Sequence, residues 1–157
     1  MDENWSEALK DLVHGIYVLT AAHEGKINGM IASWVSQVSY DPPLVMVAVH
    51  PKRYSHHLIE KAQAFALHVL SRNQKPFLAK FKGPDPLSKF SALEWSRGKT
   101  GSPILKDCLA YLDCRLVQSL APGNHTLFVG RIVDAKKMAP GEPMSTLDYE
   151  GTYLGKT

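Results

Sequence analysis

The chain has 157 residues, of which 45% are hydrophobic and 21% are charged, and its formal net charge at pH 7 is +3. This composition excludes a disordered, collagen-like or disulfide-stapled protein, and the length predicts one domain over residues 1–157. The small excess of basic residues does not indicate a nucleic-acid partner, although it is compatible with a small anionic ligand.

The ends and the cysteines bear on location. The N-terminus is acidic, and no apolar run approaches the roughly 18 residues of a membrane span, so we expect no membrane partner. Cys108 and Cys114 are expected on one face of one strand, too far apart to pair. Without a metal-ligand motif, they indicate small buried groups in a reducing compartment. We therefore expect a cytoplasmic protein.

The first part of the chain alternates between helix and strand patterns. Apolar residues spaced as on one helix face predict a helix over 5–13 that Gly15 stops. A strand is predicted over 16–22, followed by a hairpin turn at Glu24-Gly25 and a second extended segment over 26–39.

The middle of the chain predicts a buried strand and a helix. Asp41-Pro42-Pro43 breaks the pairing of the preceding segment, and the apolar run 44–49 predicts a strand covered on both faces, the most buried of the molecule. A helix is predicted over 55–64, with Ser55 as its N-cap and with Tyr54 packed on Ile59 as a hydrophobic staple.

The rest of the chain predicts three more strands. They lie at 65–70, 109–120 and 126–136, and a short helix with proline in its first turn lies at 76–81. The long polar stretch 82–101, with Trp95 as its main apolar anchor, indicates a functional loop. About six strands with few helices favour a mostly β fold, a small antiparallel barrel.

The turn 50–57 outlines an anion site. It places Lys52, Arg53 and several histidines between a buried strand and a helix start, where unpaired backbone amides and the helix dipole favour a phosphate. Arg53 would add a two-pronged contact and Ser55 a hydroxyl. The alternative is a solvated basic turn with an ordinary serine cap.

The segment 28–39 could receive a planar group. Gly29, Ala32 and Ser33 are small enough for a ring to approach the backbone, and strand amides and carbonyls can bind the polar edge of a heterocycle. An ordinary edge strand whose small residues serve packing is the alternative.

Motifs in one order along the chain add a family resemblance. They are Asn28-Gly29-Met30-Ile31-Ala32-Ser33-Trp34, Asp41-Pro42-Pro43-Leu44-Val45, the basic turn through Ser55, Phe65-Ala66-Leu67-His68-Val69-Leu70, Gly101-Ser102-Pro103-Ile104-Leu105, Ala110-Tyr111-Leu112-Asp113-Cys114 and Gly123-Asn124-His125-Thr126-Leu127-Phe128-Val129-Gly130. From about residue 8 onward, the chain resembles the flavin reductase-like, FMN-binding split-barrel family. Asn124 in place of the usual aspartate, and Trp34-Val35 in place of Ser-Phe, resemble the flavoredoxin or rubredoxin-linked branch.

The resemblance implies a fold and a set of site residues. The fold is a six-stranded antiparallel Greek-key split β-barrel with a few flanking short helices, which forms a homodimer. The flavin ring would lie against the segment of Met30, Ile31, Ala32, Ser33 and Trp34. The phosphate would lie in the turn that contains His50, Lys52, Arg53, Ser55 and His56, with Arg53 and Ser55 as its principal ligands. Trp95, His125, Tyr149 and Tyr153 could reach a flavin of the neighbouring chain, and His125 would help to dock the reductant.

The implied function is an NAD(P)H-dependent flavin reductase or flavoredoxin-type oxidoreductase that passes electrons through FMN. The flavin performs the chemistry, so no catalytic side chain and no metal are expected. No GxGxxG turn follows a strand, so NAD(P)H would bind transiently over the flavin. Two alternatives remain. One is a non-catalytic electron carrier reduced by a protein partner such as a rubredoxin, and the other is a small basic barrel that binds oligonucleotides.

Overall fold

The computed structural model describes residues 1–148. Its helices are α1 (Glu3–Lys10), α2 (Tyr54–Ala62), α3 (Lys75–Leu78) and α4 (Pro86–Phe90), with 3-10 turns at Arg72–Gln74 and Ala79–Phe81. Its strands are β1 (Tyr17–His23), β2 (Lys26–Ala32), β3 (Val35–Tyr40), β4 (Pro43–Val49), β5 (Ala64–Val69), β6 (Trp95–Arg97), β7 (Pro103–Leu105), β8 (Ala110–Leu120) and β9 (Thr126–Lys137). The mostly β fold confirms the predicted class.

The main sheet has seven antiparallel strands in the order β2-β1-β5-β8-β9-β4-β3, and β6 pairs with β7 separately. The prediction of six strands was short by one because the segment 26–39 is two strands, β2 and β3, which lie at opposite edges of the sheet. Only Ser33 and Trp34 separate them, and the Ala48 amide donates to the Trp34 carbonyl at 3.0 Å. The sheet must therefore curl until its edges approach, as a split barrel requires.

The division of 26–39 has a cause in its side chains. In β2 the even-numbered residues Met30 and Ala32 belong to the barrel core, whereas in β3 the odd-numbered Val35 packs against that core. Since strand side chains alternate strictly, this change of phase cannot occur within one regular strand. The chain therefore turns a corner at Ser33 and Trp34.

Two hairpins close with short turns. Glu24 and Gly25 have φ values of +48° and +79°, so the predicted turn is a type I′ hairpin between β1 and β2. Asp41 and Pro42 join β3 to β4, with Tyr40 opposite Pro43. The expected break at Asp41 is therefore a chain reversal that pairs the flanking strands.

Strand β4 is less buried than expected. Val45, Val47 and Val49 point into the barrel core, while Met46 and its alternate neighbours are only half-buried. The prediction of two covered faces was wrong, because the outer packing layer lies over other strands. Five of the six residues of β5 are buried, so β5 takes the place expected of β4.

A second apolar cluster covers the outer faces of β1 and β5. It combines Val18 and Leu70 with Phe77, Phe81 and Phe90 from the segment that contains α3 and α4. Cys108 lies in this cluster and Cys114 in the barrel core, both free and buried. The expectation of one shared face was wrong because β8 begins only at Ala110, after Cys108.

Helix α2 begins and ends differently from the prediction. It starts at Tyr54, its N-cap residue is Arg53, and no side chain caps it. Ser55 is a fully buried first-turn residue whose Oγ accepts from Asn28 Nδ2 at 2.9 Å, so a tertiary contact replaces the expected cap. Tyr54 stacks beside His57 instead of forming a staple, and the helix ends at Ala62 because Gln63 adopts a left-handed conformation.

Helix α1 ends at Lys10, earlier than its apolar pattern indicates, and Asp2 caps its start. None of its residues is buried, and Trp5 is 68% exposed. No helix in residues 1–148 is long and apolar enough to cross a membrane.

Candidate functional site

A cavity of about 640 Å³ lies between β2, the start of α2 and the segment around α4. Five of the predicted binding residues lie on its wall, namely Met30, Ile31, Ser33, Lys52 and Arg53. The strand predicted for a ring and the turn predicted for a phosphate therefore face one space. Lys82 and Lys89 also line this cavity, and its lining contains no acidic side chain among the described residues. Its electrostatic character favours an anion.

The free edge of β2 presents backbone groups to this cavity. The two-residue hairpin makes His23 and Lys26 a hydrogen-bonded pair, and the pairs then alternate along the ladder. The N–H and C=O groups of Gly29 and Ile31 therefore point away from β1. The Gly29 carbonyl accepts from Lys89 Nζ at 2.9 Å, which confirms this orientation. Ile31, on the cavity wall, can offer both a donor and an acceptor to a heterocycle.

Position 29 requires a small residue for a different reason from the one expected. A Cβ at this position would lie 2.9 Å from the Phe81 ring and 3.3 Å from Phe90. The space beside Gly29 is filled by the protein's own aromatic side chains and not by a ligand. The ring position on β2 therefore begins beyond Gly29, toward Ile31.

Arg53 is the strongest anion-binding feature of the cavity. Its Nε atom is buried and has no hydrogen-bond partner among the described residues. A buried guanidinium donor without an acceptor is costly, and a phosphate oxygen would satisfy it. Helix α2 begins beside Arg53 with no side-chain cap and no acidic residue in its first turn. These features fit a phosphate monoester, which would gain the guanidinium and the helix dipole together.

The other predicted residues of the turn lie around Arg53. Lys52 is exposed at the cavity wall, and its backbone N–H donates to His50 Nδ1 at 3.1 Å. Ser55 lies behind the wall, bound to Asn28. His56 is buried, with Nε2 2.8 Å from Thr126 Oγ1 and Nδ1 3.1 Å from Glu60. Both ring nitrogens of His56 are thus engaged within the protein.

Three rings gather where β2 meets β3. The Trp34 and His125 ring centroids are 4.6 Å apart, and the edge of His50 meets His125 at 5.2 Å. His125 Nδ1 lies 2.8 Å from Asn124 Oδ1, whereas its buried Nε2 has no partner among the described residues. Burial, together with the nearby His50 and Arg53, lowers the pKa of His125. With Nδ1–H donated to Asn124, Nε2 is an acceptor that awaits a donor.

Two further predicted residues of the described chain, Ala32 and Trp95, lie away from this cavity. Ala32 points its side chain into the barrel core, and its backbone groups face Tyr17 on β1, so neither is offered to a ligand in the cavity. Trp95 belongs to the outer cluster, where its ring meets Phe90 edge-on at 5.6 Å, and it lines a separate cavity. Tyr149 and Tyr153 lie outside the described residues.

The sequence did not single out Lys89. It is buried in α4, and its ammonium donates to Asn28 Oδ1 at 3.1 Å and to the Gly29 carbonyl. Nothing local distinguishes it from a surface lysine, since α4 follows an exposed loop. Its position next to Phe90, which is buried in the outer cluster, is the one signal that could have drawn attention to it.

The fold and cavity define a split-barrel protein with a cationic pocket at the edge of the sheet. The chain belongs to the flavin reductase family, since the family profile described as "Flavin reductase like domain" matches residues 9–155. Membership confirms the predicted family, the fold class and the flavin reductase type of oxidoreductase function.

Named relatives and a solved structure agree with this placement. The chain is 33% identical over 156 residues to the high molecular weight rubredoxin of Moorella thermoacetica, covering 97% of this chain and 68% of that protein. It is 30% identical to a ferric-chelate reductase (NAD(P)H) of Archaeoglobus fulgidus, covering 96% and 92%. An NADH:FAD oxidoreductase structure from Streptomyces globisporus C-1027 superposes with a TM-score of 0.81 at 27% identity, covering 88% and 84%.

Proposed function

We propose that this protein binds FMN and uses NAD(P)H to reduce it. The observation that carries the choice of FMN is the buried, partnerless Nε of Arg53 beside the uncapped start of α2. A terminal phosphate monoester offers several acceptor oxygens and two charges, which riboflavin lacks. In FAD the same phosphate is part of a pyrophosphate bridge. The adenylate attached to it would have to extend out of the cavity.

The ring is assigned to the edge of β2. The free N–H and C=O of Ile31 can bind the polar edge of an isoalloxazine, and the half-buried Trp34 stands at the corner that follows. The surroundings of the phosphate are completed by His50, Lys52, Ser55 and His56. Ser55 is held in place by Asn28, and His56 by Thr126 and Glu60.

The bound flavin supplies hydride and electron transfer, and the protein binds and orients it. Arg53 holds the phosphate, and the walls of the cavity keep bulk water from one side of the ring. We assign His125 to reductant docking, because its Nε2 is a buried acceptor beside Trp34. NAD(P)H is the proposed reductant, in keeping with the Archaeoglobus relative whose name specifies it.

A second function is supported by the Moorella relative, which is named a rubredoxin. In that case the flavin would be reduced by a protein donor, and the chain would be an electron carrier. The same cavity would serve both functions, so reductant use distinguishes them.

A homodimer is also part of the proposal. Met46 on β4 faces Val129 on β9, and both are half-buried on the outer side of the barrel. Further along β9, Leu127 lies opposite Leu120, which is 42% exposed. A second copy would cover this apolar strip and bring Trp95 toward the flavin of its partner. Sedimentation of wild type and Met46→Glu at micromolar concentration tests it: we expect a dimer and a monomer, and a monomeric wild type contradicts it. A cytoplasmic location likewise stays a prediction, consistent with the free Cys108 and Cys114.

Flavin binding and reduction can be tested on the purified protein. Apoprotein is titrated with FMN, FAD and riboflavin while flavin fluorescence is followed, and we expect the tightest binding for FMN. The FMN complex is then mixed anaerobically with NADH, with NADPH and with reduced rubredoxin, while the flavin absorbance is recorded. Equal affinity for riboflavin and FMN contradicts the phosphate site. Flavin that is reduced only by the protein donor contradicts the reductase assignment and supports the electron carrier.

A further inference from the structure

Lys89 joins the two halves of the cavity. Its side chain leaves α4 and reaches the edge of β2, where the ammonium donates to the Gly29 carbonyl at 2.9 Å and to Asn28 Oδ1 at 3.1 Å. Asn28 in turn donates to Ser55 in the first turn of α2 at 2.9 Å. One lysine therefore ties the strand assigned to the ring to the helix assigned to the phosphate.

The environment of this ammonium contains little negative charge. Lys89 is only 6% exposed, and both of its hydrogen-bond acceptors are neutral. No carboxylate among residues 1–148 forms an ion pair with it, and Asp85 opposes only in part the lowering of its pKa by burial and by Arg53. A buried ammonium has three donors, and two are used by these acceptors. The charge is therefore held in the cavity wall without a counter-ion.

We propose that Lys89 makes the cavity bind the reduced, anionic form of the flavin more tightly than the neutral oxidised ring. This inference rests on the proposed function. When the oxidised ring accepts a hydride from NAD(P)H, it gains two electrons and one proton, and the ring acquires one negative charge while NAD(P)⁺ leaves. A fixed, desolvated cation in the wall is favourable to that added charge and indifferent to the neutral ring.

The arrangement makes Lys89 a positioning residue with a measurable electrostatic effect. Because oxidised and reduced flavin are linked by a two-electron couple, a tenfold change in their affinity ratio shifts the midpoint potential by about 30 mV. Replacement of Lys89 by a neutral side chain should lower the affinity for reduced flavin about tenfold relative to oxidised flavin. The potential of the bound flavin should become more negative by about 30 mV.

Two variants and one control test this inference. Lys89→Met keeps most of the aliphatic chain and removes the charge. Asn28→Asp is nearly isosteric, still accepts from Lys89, and neutralises the ammonium where it stands, while the bond to Ser55 reverses so that the Ser55 hydroxyl donates to the new carboxylate. Lys80→Met removes an exposed lysine that packs over Phe77, at a site where solvent screens the charge. The potential of bound FMN is measured by anaerobic dye equilibration, and oxidised FMN and riboflavin are titrated separately.

We expect both site variants to shift the potential negative and the control to leave it unchanged, with Lys89→Arg restoring most of the wild-type value. An unchanged potential in Asn28→Asp overturns the inference even if Lys89→Met fails to fold. Equal weakening of oxidised and reduced flavin also overturns it, and would leave Lys89 a structural residue. If wild type binds no flavin in any titration, the proposed function fails first, and this outcome is distinct from the others.

Discussion

The outer layer of the molecule and its ligand-facing side differ in whether their buried polar groups have hydrogen-bond partners. In the outer layer, His68 donates from Nδ1 to the Val18 carbonyl and accepts from the Leu105 amide at Nε2, each at 3.0 Å. Arg53 Nε at the cavity, and His125 Nε2 in the ring cluster with Trp34 and His50, are buried without a partner in the described chain. A satisfied group stabilises the fold, whereas a partnerless one costs stability until something binds it. This difference distinguishes residues that support the fold from residues proposed to bind a ligand more sharply than residue type does.

The largest expected effect is a loss of stability in the outer layer, where the buried polar groups have hydrogen-bond partners. His68→Ala leaves the Val18 carbonyl and the Leu105 amide unpaired and opens a cavity, so we expect the free energy of unfolding to fall by about 4 kcal/mol. Denaturant unfolding measures it, with His23→Ala, a partly exposed histidine of β1, as the control. A loss below about 1 kcal/mol would mean that these hydrogen bonds do not support the fold.

The same histidine predicts a pH dependence. Burial lowers the pKa of His68 from 6.5 to about 4, although its bond to Val18 acts in the other direction. The unfolded chain therefore takes up this proton at a higher pH than the folded protein. The stabilisation is complete above pH 6.5 and is lost as the pH falls toward 4, amounting to about 3 kcal/mol. Unfolding of wild type and His68→Asn should converge over this window, and parallel curves would exclude His68 as the cause.

Arg53 belongs to the buried groups without a partner within residues 1–148, so its replacement should weaken ligand binding and not the stability of the fold. Arg53→Ala should weaken FMN binding by about 2 kcal/mol, near thirtyfold, because a charge-assisted bond to phosphate is lost. Lys52→Ala should cost less than about threefold, since Lys52 is exposed and offers only a point charge. Stability without ligand should not fall in Arg53→Ala, because no protein acceptor loses the Nε donor. Equal FMN affinities in the two variants would contradict the phosphate assignment.

Local features of the chain were predictable, and long-range ones were not. The Glu24-Gly25 turn, β9 and the proline-started α3 follow from neighbouring residues alone. The hydrogen bonding of Ser55 depends on Asn28, which is 27 residues away. The sequence therefore predicted a helix cap where the structure has a buried hydrogen-bond acceptor. The proposed anion site does not depend on this error, because the basic turn and the helix start are contiguous in sequence.

Lys89 shows more clearly what could not be predicted from the sequence. Its partners are 60 and 61 residues away in sequence, and they meet it only because α4 folds over the edge of β2. The prediction also missed that the outer face of β4 is only half-buried, for a related reason. An apolar run states how hydrophobic a strand is, but not which of its faces another layer will cover.

The smallest expected effect again belongs to the satisfied region. Asp113 is buried on β8, and it accepts from the Thr100 hydroxyl at 2.5 Å and from the Thr100 amide at 3.0 Å, which holds the loop between β6 and β7 against the sheet. Thr100→Val keeps the shape and the amide bond but removes one donor, so we expect a loss of about 1.5 kcal/mol. Flavin affinity should stay within about twofold, because this loop lines the other cavity. Ser96→Ala, an exposed change in β6, is the control for chemical denaturation. A thirtyfold loss of flavin affinity in Thr100→Val would show that satisfied buried groups also serve the site, and the division between the two regions would then fail.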